Sequence, residues 1–449
     1  MISTTELEQA YGTQEITTSA MRAAITDWFT LYEQQEATEQ EDPCQRIPYV
    51  IVNKITKAVL AEYKPECKKD FGAAILKALD KVSQEAIQMA LIGGEALIKP
   101  IPTKEGFRFS VIARDAICVF ARNAEGHMTD IGTCEMTTKG SSYYTLLERR
   151  TLSADGHLTI SNMLYKSFNS GSLGSRVSLS ELDQYAELVD EYTYSQLMTN
   201  LGLIPVKTPQ VNCVDRSKDA VSVYAPAVGL IHNINVNEAQ LNGEFKRGES
   251  RILASSDYFS KKNGTKSFDS HLFIKLEGDP EETGGITIFS PTLRDASFLN
   301  RKKEYLRNVE SICGLKRGLL SDPESAERTA KEITSSEGDY NLTIIDFQNM
   351  WEDAVREVLI TCSVVGKIYK VSGTTELVSD DLTIDWGNGV LYDEDKTWAD
   401  YLNMVSSGLI KPEIALGWRF NMPTETPADL QKIREKYMPD MDGLMGGAV

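Results

Sequence analysis

Four histidines, His127, His157, His232 and His271, are the residues best suited to proton transfer near neutral pH, and they lie far apart in the chain. None falls in an H-x-x-x-H or H-E-x-x-H pattern, so no ligand pair for a metal is indicated. The seven cysteines (Cys44, Cys67, Cys118, Cys134, Cys213, Cys313 and Cys362) are odd in number and include no C-x-x-C pair. They read as reduced, mostly buried thiols rather than a zinc site or a disulfide framework. Asp393-Glu394-Asp395 has the charge of a metal site, but acid at a helix start accounts for it. There is no G-x-x-x-x-G-K-[ST], Gly314 to Gly318 lacks the Lys-Ser/Thr pair of a phosphate loop, and no G-x-S-x-G elbow occurs. The sequence therefore predicts no catalytic constellation, no cofactor and no metal.

What remains is electrostatic. The chain has 47 Lys and Arg against 65 Asp and Glu, a net charge of −18. That balance argues against a protein that grips nucleic acid by its phosphates. It is compatible with one whose acidic wall repels phosphate and keeps a passing polymer mobile. A soluble acidic cytosolic protein has the same charge. Between Thr292 and Arg317 the sign reverses locally, with Arg294, Arg301, Lys302, Lys303, Arg307, Lys316 and Arg317 against Asp295, Glu304 and Glu310. Arg301, Lys302, Lys303 and Arg307 also fit a solvated helix face with i, i+4 pairing. Lys316 and Arg317 sit in a loop bracketed by Gly314 and Gly318, with no core reason to be there.

The elements that must position that loop are legible as periodicity. Leu299, Leu306, Val309 and Ile312 recur at mostly helical spacing, and Cys313-Gly314 stops the helix. Ser321-Asp322-Pro323-Glu324 announces the next helix, with a cap, Pro in the first turn and early acid. Its apolar stripe runs through Tyr340, Ile344, Phe347, Trp351, Val355, Val358 and Cys362, and Gly338 predicts a kink.

Upstream, residues 1–90 read as helical, with faces at Met21–Tyr32, Ile51–Leu60 and Phe71–Leu91, before Gly93-Gly94 switches the chain to a strand ending at Lys99-Pro100. Gly106 to Tyr165 alternates as an antiparallel meander, with hairpin turns at Asn123–Gly126 and Ala154–His157. Ser167 to Ser180 reads as a loop and Ile204–Pro209 as extended chain. A helix spans 219–247, and 248–291 holds short strands around the Lys261-Lys262-Asn263-Gly264-Thr265-Lys266 turn. Strands are predicted at Lys367–Val371 and Asp381–Trp386, then helices before Ser407-Gly408, after Pro412 and from Pro427 to Met438. Gly443 to Val449 reads as a disordered end. At 449 residues, two or three folding units are expected, and 41% apolar residues suffice for a sizeable core. No apolar run approaches the ~18 residues that cross a bilayer, and Met1-Ile-Ser-Thr-Thr-Glu-Leu-Glu is no secretory signal.

Helix, basic loop, cap and long kinked helix in this order, with Arg328-Thr329-Ala330-Lys331-Glu332-Ile333 matching a T-A-x-E-[IV] segment, resemble the core of a tailed-bacteriophage portal protein, the head-to-tail connector of siphophage type. The resemblance covers most of the chain as motif order rather than identity. It implies an α+β portal fold: an N-terminal wing of helices plus antiparallel sheet (1–218), a first stem helix (219–247) and a clip (248–291). A second stem helix (292–313), a channel loop (314–324), a long kinked helix (325–366), wing return strands (367–392) and a crown (393–449) complete it.

By the same resemblance, subunits close into a homo-dodecamer at one capsid vertex, a virion component assembled in the host cytoplasm, through which double-stranded DNA is packaged and ejected without sequence specificity. Implied partners are the terminase large subunit, a head-tail adaptor, and major capsid and scaffolding proteins, with no membrane. Lys316, Arg317, Gly314 and Gly318 would form the DNA-channel loop, and Lys261, Lys262 and Lys266 would face motor or connector on the clip. Arg301, Lys302, Lys303 and Arg307 would line the stem, and Phe347 and Trp351 would pack the long helix and supply adhesive surface between subunits. A minor head protein, or a cytosolic enzyme whose chemistry leaves no short motif, fits the residues too.

Overall fold

Helical apolar spacing near the N-terminus produces α1 (Thr4–Tyr11), α2 (Ser19–Glu33) and α3 (Ile47–Leu60). A short strand β1 (Lys64–Cys67) then leads to α4 (Asp70–Gly93). The computed structural model describes residues 2–33, 44–248, 251–255, 273–276, 286–289, 292–321, 330–387, 394–420, 422–424 and 426–438. Over these residues the protein is a mixed α+β chain whose strands pair mostly antiparallel. It divides into two compact units, residues 1–60 with 65–384, and residues 61–64 with 385–449.

In the first unit, α4 gives way to β2 (Glu95–Thr103) at Gly94, which takes φ +83°, and a Cβ there would lie 2.5 Å from the Ala220 backbone. Only glycine fits that break. β2 pairs with β3 (Gly106–Ala113) from Ala96 to Thr103 and with β10 (Ile204–Lys207) only over Glu95–Ile98. Pro100 and Pro102 therefore fall where β2 has become an edge and need donate no ladder bond. The Glu95–Ile98 end is buried on successive residues because helices cover both faces of this sheet.

A second sheet runs β4 (Ile117–Arg122), β5 (Met128–Lys139), β6 (Ser142–Leu152), β7 (Leu158–Ser167) and β8 (Ser175–Val177), with β9 (Glu191–Thr193) also on β7. Adjacent residues of β6 serve opposite faces. Leu147 packs with Leu7, Tyr11, Phe120 and Leu173, and Leu146 packs with Tyr144, Leu164, Leu179 and Tyr185. The sheet is thus cored on both sides, by α1 and by the segment around Leu179–Tyr185.

After a buried, irregular stretch at Ala220–Tyr224 comes α5 (Val228–Arg247), then β11 (Arg251–Ser255), β12 (Phe273–Leu276) and β13 (Ile286–Phe289). β11 is the centre of this small sheet, parallel to β12 and antiparallel to β13. α6 (Asp295–Ile312), the 40-residue α7 (Ala330–Tyr369) and β14 (Leu382–Asp385), which pairs with β1, follow.

Two expectations need correction. Residues 219–224 are not helical: they are spent on buried bonds such as Val223 N–H to the Leu91 carbonyl, 3.0 Å, and a single 3-10 turn at Ala225–Ala227, carrying Pro226, precedes α5. Lys367–Val371 is no strand, because α7 runs on to Tyr369 and ends at Lys370 with φ +54°. A five-residue stretch with apolar Ile368, Tyr369 and Val371 fits either period, and packing of Val365 in the core favours the helix. The return segment accordingly contains β14 but no strand at 367–371. α7 is helical on both sides of Gly338, while Asp322 to Thr329, its expected cap and first turn, lie outside the described residues.

In the second unit α8 (Glu394–Ser406), α9 (Pro412–Arg419) and α10 (Pro427–Tyr437) form a small helical cluster. Tyr401 stacks on Trp418 at 5.1 Å, Phe420 on Tyr437 at 4.2 Å, and buried Glu413 pairs with Arg434 at 2.6 Å. Gly443 to Val449 lie outside the described residues.

Candidate functional site

α5 and α6 lie side by side with their ends exchanged. Glu244 meets Arg294 at 2.8 Å, Asn237 donates to the Phe298 carbonyl at 3.1 Å, and Glu238 meets Lys302 at 2.8 Å. Rising numbers on one helix match falling numbers on the other, so the pair is antiparallel. Paired hydrogen bonds from Arg294 hold the Glu244 carboxyl down at about 2. The three-stranded β11–β13 unit is inserted at the end where α5 finishes and α6 begins. The other end of α6 leads into the basic loop.

That loop is a tied turn rather than a loose hinge. Gly314 takes φ +65°, the Leu315 N–H returns to the Glu310 carbonyl at 2.8 Å, and the Leu315 side chain is buried. Leu319 N–H donates to the Lys316 carbonyl at 3.1 Å, closing a turn in which Gly318 has φ +88°, as a type II turn requires of its third residue. Lys316 and Arg317 are its exposed tip. The closing bonds come from Glu310. This fully buried carboxylate accepts from Leu320 N–H at 2.6 Å, Ser321 N–H at 2.8 Å and the Ser321 hydroxyl at 2.9 Å. Sequence reasoning counted Glu310 only as a surface counter-charge. Its position four after Leu306 and three before Cys313 puts it on the inward stripe, and that was the available signal.

The other basic residues divide. Lys302 is a clamp, bonded to Glu238 and to Gln45 Oε1 at 3.0 Å. Arg301 lies over the Tyr305 ring at 4.6 Å, and Arg307 pairs with Glu304 at 3.2 Å. Lys303 is exposed. Phe347 and Trp351 are 1% and 0% exposed, so they belong to the core of their own chain and offer no adhesive surface to a neighbour. Their large apolar area favours the nearest dry environment, which α7 finds against α3, α4 and the β2–β10 sheet. Lys261, Lys262 and Lys266 lie outside the described residues.

Two buried ion networks, marked by no local pattern in the sequence, lie among the strands of the first unit. Glu148 accepts from Lys99 Nζ at 2.6 Å and from Arg150 Nε at 2.7 Å, tying β2 to β6. Burial works to raise the Glu148 pKa, but Arg150 and Lys99 outweigh it and hold the carboxyl at about 2. Fully buried Arg114 donates to Asp219 at 3.2 Å and to Thr17 at 3.0 Å, while Arg122 reaches the same Asp219 oxygen at 2.7 Å. Among the described residues no group of His, Cys, Asp and Glu is placed to hold a metal ion, and no helix is long and apolar enough to cross a membrane.

No family model matches the chain, and no curated protein matches it. Among solved structures it is similar to the neck of a native GTA particle computed with C12 symmetry. The two share 13% identity over 92% of this chain and 98% of that one, with a TM-score of 0.46. A likeness that remote carries no argument about what this protein does.

Proposed function

We propose that the chain is one subunit of a portal ring, a phage head-tail structural protein through whose hole double-stranded DNA enters and leaves the capsid. The observation that carries this reading is the order and pairing of elements around the basic turn. Antiparallel α5 and α6 bracket a separate three-stranded unit, and α6 returns through Gly314–Ser321 to the long α7. This is the stem, clip, stem, channel-loop and long-helix order that the motif resemblance implies. A closed ring uses two different faces of each subunit, and repetition would set Lys316 and Arg317 as a circle of positive charge on an otherwise acidic protein. Each phosphate contact there is weak and salt-screened, as translocation demands. The clip, residues 248–291, which by sequence carries Lys261, Lys262 and Lys266, is the part that meets the motor and later the connector; residues 393–449 make the crown.

The test is to assemble particles with the chain carrying both Lys316→Ala and Arg317→Ala. Subunit melting and ring formation stay as in the parent, whereas packaging or retention of DNA falls. Undiminished packaging and retention at low and physiological salt, or a tip that faces away from the channel in an assembled ring, would refute the assignment.

A further inference from the structure

Outside the stem, a cavity of ≈ 520 Å³ opens between the β4–β5 turn, β10 and the middle of α7, with the start of β2 at its base. At that base lies Glu95, 2% exposed, whose Oε2 has no hydrogen-bond partner. The cation beside it, Arg122 Nη2, is 3.8 Å away and is already committed to Asp219 at 2.7 Å, while Arg122 Nη1 donates to the Gly126 carbonyl at 2.9 Å. A buried carboxylate oxygen without a hydrogen-bond donor is costly, so a native fold that keeps one calls for an explanation. Glu357 lines the same cavity from α7, where burial pushes its carboxyl pKa up, and accepts one bond, from Asn200 Nδ2 at 2.8 Å. Asp353 and Glu125 stand exposed at the mouth. Lys207 turns its ammonium to the Lys218 carbonyl at 2.9 Å, and His127, also in the lining, is exposed at the mouth beside Glu125 at 3.6 Å. Between the carboxylates the wall is apolar, formed by Leu97, Leu203, Met350 and Ala354.

Two needs are thus combined: donors for the buried Glu95 and half-buried Glu357 carboxyl groups, and a non-polar surface beside them. A hydrated divalent ion meets the first only. A guanidinium on an alkyl stem meets both, because its forked donors reach several carboxylate oxygens and its methylenes cover apolar wall. We propose that this cavity binds an alkyl guanidinium, the chemistry of an arginine side chain. The head sits at Glu95 and Glu357, and the stem runs over Leu97, Leu203 and Met350. The site is distinct from the basic turn and does not depend on the ring reading.

The probe is agmatine titrated into the full chain, followed by calorimetry and by methyl-methionine NMR at Met350, a signal that binding elsewhere leaves in place. Saturable binding with a Kd of about 1 mM or tighter is expected for so small a ligand, with the Met350 methyl shifting along the same isotherm. Glu95→Gln and Glu357→Gln keep shape and remove charge, and each should weaken binding about tenfold. Should Glu95→Gln fail to fold, Glu357→Gln alone decides, since Gln at 357 can still accept from Asn200. Absence of saturable binding, an unmoved Met350 signal, affinity unchanged in Glu357→Gln, or Mg²⁺ displacing agmatine at equal concentration would each overturn the proposal.

Discussion

Removing the Glu310 side chain is the perturbation that isolates how the basic tip is held. In Glu310→Ala, the N–H groups of Leu320 and Ser321 and the Ser321 hydroxyl lose their carboxyl acceptor at 2.6, 2.8 and 2.9 Å. Hydrogen bonds to charged groups contribute about 1.5–3 kcal/mol each. The three share one carboxylate, so they do not add, and the opened turn regains water at its donors. A local cost of about 3 kcal/mol is therefore a reasonable ceiling, equivalent to about 100-fold in the closed-to-open ratio. Native-state hydrogen exchange reads this directly. In the parent protein the Leu320 and Ser321 amides should be protected by about that factor, and in Glu310→Ala protection should vanish, while α7 amides such as Val355 and Val358 keep theirs. Glu310→Gln retains one acceptor oxygen and should fall between. Unprotected Leu320 and Ser321 amides in the parent, or unaltered protection in the alanine variant, would show that the carboxylate does not hold the turn.

Two further outcomes follow from the same geometry. Glu148, at about 2 against an ordinary 4.5, has a depressed folded-state pKa. Its contribution is fully present above about 4.5, worth about 3 kcal/mol, and lost as pH falls toward about 2. Denaturant unfolding of Glu148→Gln should show a gap to the parent that narrows through that window, and a gap independent of pH would contradict the ion triad. Gly314→Ala places a Cβ 2.7 Å from Thr343 Oγ1 at φ +65°. It should cost about 1–3 kcal/mol in a urea titration, and an unchanged midpoint would contradict the left-handed cap.

Much of this architecture is readable from local pattern. The stripe Ile344, Phe347, Trp351, Val355 specifies α7, Gly94 marks the turn from α4 into β2, and Asp155-Gly156 closes the β6–β7 hairpin. These are signals carried within a few residues. What escaped depends on distant partners. β11 is short, and its place at the centre of its sheet is set by strands that come later in the chain. Lys367–Tyr369 has strand-like composition, but the helix before it already has a buried face to extend. Arg114, Glu148 and Glu310 look like ordinary surface charges. Only the approach of Asp219, Lys99 and Ser321, between 11 and 105 residues away, turns them inward. The basic tip at Lys316 and Arg317 was visible as composition; its anchoring was not.

The central claim is that this chain closes into a ring around DNA, and electron microscopy of the purified full-length protein addresses it most directly. The account predicts closed rings of twelve subunits by resemblance to portals, with a central hole about as wide as a duplex and the Gly314–Ser321 turns directed into it. Monomers or dimers alone, at micromolar concentration and across moderate to high salt, would contradict it.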